Sequence, residues 1–253
     1  MKPTATGRIL LWRGASLWVG LAGEPAGVHA HHAVQITLPF PGGHVRFRRP
    51  SGVWTSYVAA IVAAHQPHAL EAREQFVAQI FVEPESAEGR GLQLRYRDEG
   101  ISALAAATLE KETAALANAY ESRASDARLI ELAVAAIATL AGTSAVPKEL
   151  PDTRIALAVE LIRERLGDAI PLNAIAAAVH LSPDRFRHLF MEETGVGFRP
   201  YLLWLRLECS LGAYVGGTTL TEAAHAGGFA DSAHLSRTFK RMFGITPASV
   251  RPE

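Results

Sequence analysis

Four side chains in the N-terminal part of the chain have the types and spacing of a site. In the run His29-Ala-His31-His32-Ala-Val-Gln35, a strand would carry His29, His31 and Gln35 on one face, because successive side chains alternate. His68, in His65-Gln-Pro-His68, falls where a returning strand presents a further imidazole. Three imidazoles and an oxygen ligand suit a divalent metal with one position left open for chemistry. The plainer reading is favoured, because the neutral amide of Gln35 is a weak ligand. His29, His31, Gln35 and His68 are then polar groups lining an effector pocket, with no metal, no cofactor and no catalytic residue expected.

A second constellation lies towards the C-terminus. Leu172-Asn-Ala-Ile-Ala-Ala-Ala-Val-His-Leu181 aligns without gaps on Leu220-Thr-Glu-Ala-Ala-His-Ala-Gly-Gly-Phe229. Each segment is followed by a capping stretch and a second amphipathic helix. Ser182 and Pro183 open the first such helix, with Phe186, Leu189 and Phe190 as its buried stripe. Asp231 or Ser232 opens the second, with Leu235 and Phe239 buried and one extra residue in the turn. The outward positions are Asp184, Arg185, Arg187 and His188 in the first copy, and Ala233, His234, Ser236, Arg237, Lys240 and Arg241 in the second. Arginine pairs bidentately with guanine in a major groove, while further cations, hydroxyls and helix N-termini suit phosphate oxygens. One such helix is most simply a solvated face; two in the same register favour a nucleic-acid reader. Cys209 has no neighbouring histidine or cationic cluster to lower its pKa, and reads as a buried structural thiol.

The elements that must hold these groups follow from composition and texture. Of 253 residues, 49% are hydrophobic and 20% charged, which excludes a disordered chain. Lys and Arg number 25 and so do Asp and Glu, so any nucleic-acid function must come from local placement of charge rather than from its total. A single cysteine excludes an internal disulfide or a cysteine-rich zinc site. No apolar run approaches the roughly 18 residues of a membrane span, and the N-terminus has no export-signal pattern. A cytoplasmic protein with no membrane partner is expected. Up to about residue 97, short alternating runs punctuated by Gly and Pro read as strands: Ser16 to Leu21, Ala33 to Leu38, Val45 to Arg48, Tyr57 to Val62 and Gln79 to Val82. From Ile101 the spacing turns helical, with a break at Glu121 to Asp126 where Ser125 or Asp126 caps a second helix. The stretch 142–152 reads as a linker, and beyond it Asp152 caps a helix closed by Gly167.

The region from about 155 to 252 resembles the DNA-binding domain of the AraC/XylS family of bacterial transcription regulators. The most specific stretch is Gly228-Phe-Ala-Asp-Ser-Ala-His-Leu-Ser-Arg-Thr-Phe-Lys-Arg-Met-Phe-Gly-Ile-Thr-Pro-Ala-Ser-Val-Arg251, joined by Leu181-Ser-Pro, Phe190, Glu193-Thr-Gly195, Phe198, Tyr201 and Leu205-Arg-Leu207 in the first copy. The resemblance implies two helix–turn–helix units joined by a long helix, Phe198 to about Tyr214, with paired second helices in successive major-groove turns. Asp184, Arg187, His188, Ser232, Ala233, Ser236 and Arg237 match the family's base-reading positions, and Arg185, Lys240 and Arg241 suit phosphate. His180 departs from the family's glycine in the first turn, and Asp184 and Ala233 are poor donors.

The histidine run resembles the metal-binding strand of cupins, with Gln35 in place of the acid. Together the resemblances imply an α+β multidomain fold. Its parts are a cupin-like antiparallel β-barrel over 1–100 that senses an effector, a helical hairpin over 101–141 that dimerises, the linker, and an all-α double helix–turn–helix domain over 153–253. The implied function is a non-enzymatic, sequence-specific transcription regulator. Its partners would be double-stranded DNA, a small-molecule effector, a second copy of itself and, for an activator, RNA polymerase. The alternative is a metal-dependent cupin enzyme with an accessory helical module.

Overall fold

The computed structural model describes residues 5–97, 99–142 and 152–252. The chain forms two compact units: Met1–Val146 with Lys240–Glu253, and Pro147–Phe239. Almost all of the expected linker, 143–151, lies outside the described residues.

In the first unit, the strands before the hairpin are β1 (Ala5–Trp12), β2 (Ala15–Ala22), β3 (Ala26–His29), β4 (Val34–Pro39), β5 (Val45–Arg48), β6 (Thr55–Tyr57), β7 (Ala60–Val62), β8 (His68–Glu71), β9 (Phe76–Val82) and β10 (Ile101–Ala103). One sheet runs β10-β7-β4-β9-β2-β1 and takes β11 (Val250–Pro252) in parallel beside β1; the other runs β3-β8-β5-β6. Val45, Phe47 and Leu70 of the smaller sheet share a core with Ala60, Val62 and Val77 of the larger. The expected barrel is therefore an open pair of sheets. Two details depart from the sequence reading. The run Tyr57 to Val62 is divided, because Tyr57 ends a strand of one sheet and Ala60 begins a strand of the other. The region before residue 100 also includes a helix, α1 (Ala87–Tyr96), opened by Ser86, whose hydroxyl accepts from the Gly89 N–H at 2.9 Å.

The helical hairpin is α2 (Glu110–Glu121) and α3 (Asp126–Ala141), broken where the sequence placed the break and capped by Ser125, which accepts from the Arg128 N–H at 3.3 Å. Its apolar stripe, Leu116 with Leu129, Leu132, Ala136, Ile137 and Leu140, belongs to one core with Val34, Ile36 and Leu38 of β4. Each buried leucine or isoleucine contributes about 1.5–3 kcal/mol, so this stripe alone holds the hairpin to the sheet. Every residue of β4 is consequently buried: even-numbered side chains meet the helices, and Gln35 and Thr37 face the other way.

The second unit is helical: α4 (Thr153–Arg163), α5 (Leu172–Ala178), α6 (Pro183–Thr194), α7 (Phe198–Val215), α8 (Leu220–Ala226) and the start of α9 (Ser232–Phe243). Asp152 caps α4 by accepting from the Arg154 N–H at 2.9 Å. The helix ends at Arg163, short of Gly167. Phe186, Phe190, Phe198 and Tyr201 form an aromatic core around α6 and α7, with ring centroids 5.2–5.9 Å apart. Ala223, Ala224, Phe229, Leu235 and Phe239 are the buried residues of the second copy. The helical region expected to run to residue 253 gives up its tail, since Lys240–Glu253 groups with the sheets.

Candidate reading helices and buried histidine cluster

The two turns have the same backbone. His180 and Gly228 occupy one repeat position, and both are left-handed, with φ of 56° and 72°. The residue after each closes the same bond, Leu181 N–H to Ala176 O at 2.9 Å and Phe229 N–H to Ala224 O at 2.8 Å. The histidine that departs from the family pattern thus keeps the turn, at a left-handed cost of about 1–2 kcal/mol for a residue with a Cβ. At the preceding position the copies differ. Val179 is a buried core residue, whereas a Cβ on Gly227 would lie 2.4 Å from the Arg206 carbonyl oxygen, so α8 is pressed directly onto α7.

The second helices expose most of the positions marked in the sequence. Asp184, Arg185, Arg187 and His188 on α6 are exposed, as are Ala233, Arg237, Lys240 and Arg241 on α9, while Ser232 and Ser236 are half-buried. Arg187 is paired with Asp184 one turn earlier. His234 packs edge-on against Phe229, centroids 5.1 Å apart, which ties it to the turn. Asp231, not Ser232, serves as cap, accepting from the His234 N–H at 2.6 Å. Lys240 and Arg241 stand in the last turn of α9, where the helix dipole also favours cations. The sequence reading missed the capping box of α8, in which Thr219 and Glu222 bond each other's backbone N–H; its signal was present as Thr-x-x-Glu.

The four residues marked in the N-terminal part do converge, although not on one strand. His29 ends β3 and is paired in register with His68 of β8; His31 lies in the bend that follows; Gln35 is on β4. The single-strand premise is therefore corrected: the chain leaves one sheet after His29 and enters the other at Val34. The His29 and His68 rings are 4.2 Å apart, and those of His31 and His68 5.2 Å. Gln35 Oε1 lies 2.9 Å from His31 Nε2 and 3.1 Å from His68 Nε2. Burial, reinforced by His29, pushes the His31 imidazole down to about 3. Burial likewise lowers His29, and with the neighbouring imidazoles holds His68 well below its ordinary value. His32 turns elsewhere, to Glu85 at 2.8 Å and beside His65, which burial and His32 lower to about 4.

A cavity of about 90 Å³ opens against this cluster. His29, Gln35 and Gln79 supply its polar surface, and Trp18, Leu70, Phe81, Phe243 and Ile245 its apolar one. Phe243 packs on Trp18 and Phe81, with centroids 4.9 and 5.5 Å away. Gly244 then passes so close to β3 that a Cβ would meet Gly27 O at 2.5 Å, and its φ of 73° suits only glycine. These C-terminal wall residues left no local signal, because their partners lie at the other end of the chain. Cys209 is half-buried on α7, donates to Ala226 O at 3.4 Å and has its thiol pushed up by burial, which suits a structural role. Among the described residues, no helix is long and apolar enough to cross a membrane.

Residues 175–253 match a family model described as a helix-turn-helix domain. The chain is similar to YijO, an uncharacterized HTH-type transcriptional regulator of Escherichia coli K12, at 33% identity over 93 residues, covering 36% of this chain and 33% of that one. It is similar to the arabinose operon regulatory protein of the same organism at 31% identity over 104 residues, covering 40% and 35%. The chain thus matches about a third of the length of these relatives. Among solved structures, ToxT from Vibrio cholerae shares the fold across both regions, with a TM-score of 0.58 and 13% identity over 93% of this chain and 97% of that one.

Proposed function

We propose that this chain, whose residues 175–253 form an AraC/XylS-type helix–turn–helix domain, is a sequence-specific DNA-binding transcription regulator that answers to a small effector held in its sheet region. The observation that carries this reading is duplication with conserved geometry: two turns with the same left-handed residue and the same closing bond, each followed by a helix with an exposed polar face. A solvated bundle has no need to repeat a turn. Arg187, His188, Ser236 and Arg237 are the candidates for base edges, with Asp184, Ser232 and Ala233 at flanking positions of the same faces. Arg185, Lys240 and Arg241 are the candidates for phosphate.

The cavity supports a compact effector with an apolar body facing Trp18, Phe81 and Phe243 and a polar group facing Gln35, Gln79 and His29. Such an effector switches DNA occupancy only by binding one state of the protein better than another. A homodimer forms part of the proposal. The apolar stripe of the hairpin is committed to the sheet, so pairing would use the outer face of α3, where Val134 is exposed. RNA polymerase enters as a partner if the output is activation. That the relatives are named as regulators favours this reading over a metal-dependent enzyme.

Selection of bound sequences from random duplex DNA tests the proposal. Two half-motifs about 10–10.5 base pairs apart are expected from paired readers. Failure to enrich any motif at moderate salt would overturn it.

A further inference from the structure

The three buried histidines carry an arrangement that effector binding does not require. Each ring sets its Nδ1 against a backbone carbonyl two residues away: His29 on Gly27 at 2.6 Å, His31 on Ala33 at 2.8 Å and His68 on Gln66 at 2.8 Å. A neutral imidazole has one N–H and a carbonyl oxygen can only accept, so each Nδ1 keeps the proton and each Nε2 is left with a lone pair. For His31 and His68 that lone pair faces Gln35 Oε1, at 2.9 and 3.1 Å, another atom that only accepts. The far end of the amide is engaged, its Nε2 donating to Thr37 Oγ1 at 2.9 Å and Gln79 Oε1 at 3.2 Å. One ring nitrogen from each of the three histidines lies within 4.8 Å of the others. The outcome is a buried point ringed by electron pairs with no proton to share, which is unfavourable until a cation enters. An Nδ1–H anchored on a carbonyl is also the outer contact that orients metal-binding imidazoles.

We infer that His29, His31 and His68, with the amide oxygen of Gln35, hold one divalent transition-metal ion. A neutral, nitrogen-rich set without thiolates suits Zn²⁺, Co²⁺ or Ni²⁺ rather than Mg²⁺ or Ca²⁺. Around an ion with bonds of about 2.0–2.1 Å the nitrogens stand roughly 3.4 Å apart, so modest side-chain rotations close the site. His29 and Gln35 also line the cavity, which places the ion at its floor. No step of this inference involves DNA, so it stands or falls apart from the regulator reading.

A metal-free protein satisfies the same atoms by turning the Gln35 amide, so that its NH₂ donates to Nε2 of both His31 and His68. That arrangement gives nothing to His29, and it answers oppositely to Gln35→Glu. The test is titration of the chelator-stripped full chain with Co²⁺ and then Zn²⁺, followed by visible absorption, metal content after desalting and thermal unfolding. One equivalent of Co²⁺ is expected to give the intense visible bands of a low-coordinate site, and Zn²⁺ to displace it and raise the melting midpoint. Gln35→Glu adds an anionic oxygen and tightens binding about tenfold or more, while His31→Gln and His68→Gln loosen it by about tenfold or more. His44→Gln, on an exposed loop, leaves it unchanged. The inference is overturned if wild-type protein takes up neither metal at micromolar concentrations, or if Gln35→Glu weakens uptake. It is equally overturned if both histidine variants bind as the wild type does. The wild-type and Gln35→Glu measurements remove no ligand, so they decide the matter even where a histidine variant folds poorly.

Discussion

The two candidate sites are built by opposite routes. The reading faces of α6 and α9 are exposed, and each is drawn from one short stretch of sequence. The histidine cluster is buried and gathers His29, His31, Gln35 and His68 from two strands of one sheet, a bend and a strand of the other. An exposed local site can change its chemistry with little effect on stability, because its side chains answer to solvent and ligand. A buried site assembled across sheets ties its chemistry to the fold. Substitution or titration of the cluster should therefore register in stability, and substitution on the reading faces in binding.

Acid gives the largest contrast. Folded His31 and His65 are held near 3 and 4, against about 6.5 in an unfolded chain. Below that value the unfolded state takes up protons that the native state refuses, so stability is full above about pH 6.5 and falls as pH drops towards the folded values. For His31 alone the loss is on the order of 2 kcal/mol by pH 5. Denaturant unfolding at a series of pH values, with chelator present, measures it. A flat profile between neutrality and pH 5 would mean that the imidazoles are not held buried and neutral.

Next in size is a core change beside an exposed face. Gly227→Val writes the first copy's residue into the second, where even a Cβ meets the Arg206 carbonyl oxygen. A loss of about 3 kcal/mol is expected from overpacking, read by the same unfolding assay. A loss below about 1 kcal/mol would show that α8 does not press on α7 as described.

On the reading faces the readout moves to DNA. Arg237→Ala should weaken specific binding by about 1–3 kcal/mol and relax preference at one base pair, with unfolding unchanged. Arg187→Ala should cost less, since Arg187 must first leave Asp184, a pairing worth roughly 0.3–0.5 kcal/mol. Equal losses in competition binding would erase the distinction between the copies. Lys240→Ala should weaken all sequences alike and lower the salt slope by about 1; an unchanged slope removes it from the phosphate contacts.

How much was legible in the sequence follows the same division. The repeat, its caps at Ser182 and Asp231 and its exposed arginines were readable, because helix periodicity and capping are local signals. Ser125 and the break before α3 were readable for the same reason. The histidines were marked by type, but the strand said to align them does not exist, and their meeting depends on β3 pairing with β8. Alternation failed on β4 because helices bury one face and the opposite sheet the other. Phe243 and Gly244 as cavity wall were invisible, since nothing near them in sequence names Trp18 or Gly27 as a neighbour.

The smallest effect probes the one place where the copies differ in residue but agree in backbone. His180 is left-handed where Gly228 is, and its Cβ costs about 1–2 kcal/mol there. His180→Gly removes that cost but gives the unfolded chain more freedom, worth roughly 0.5–1 kcal/mol. The net expectation is a gain of about 0.5 kcal/mol. Gly228→Ala, the converse change, loses stability, because a Cβ would meet Leu166 O at 2.5 Å. Opposite signs in paired unfolding curves follow if both turns demand the left-handed conformation. A loss in both variants would mean that the His180 side chain contributes contacts outweighing its strain, and that the first turn is held by its residue rather than by its shape.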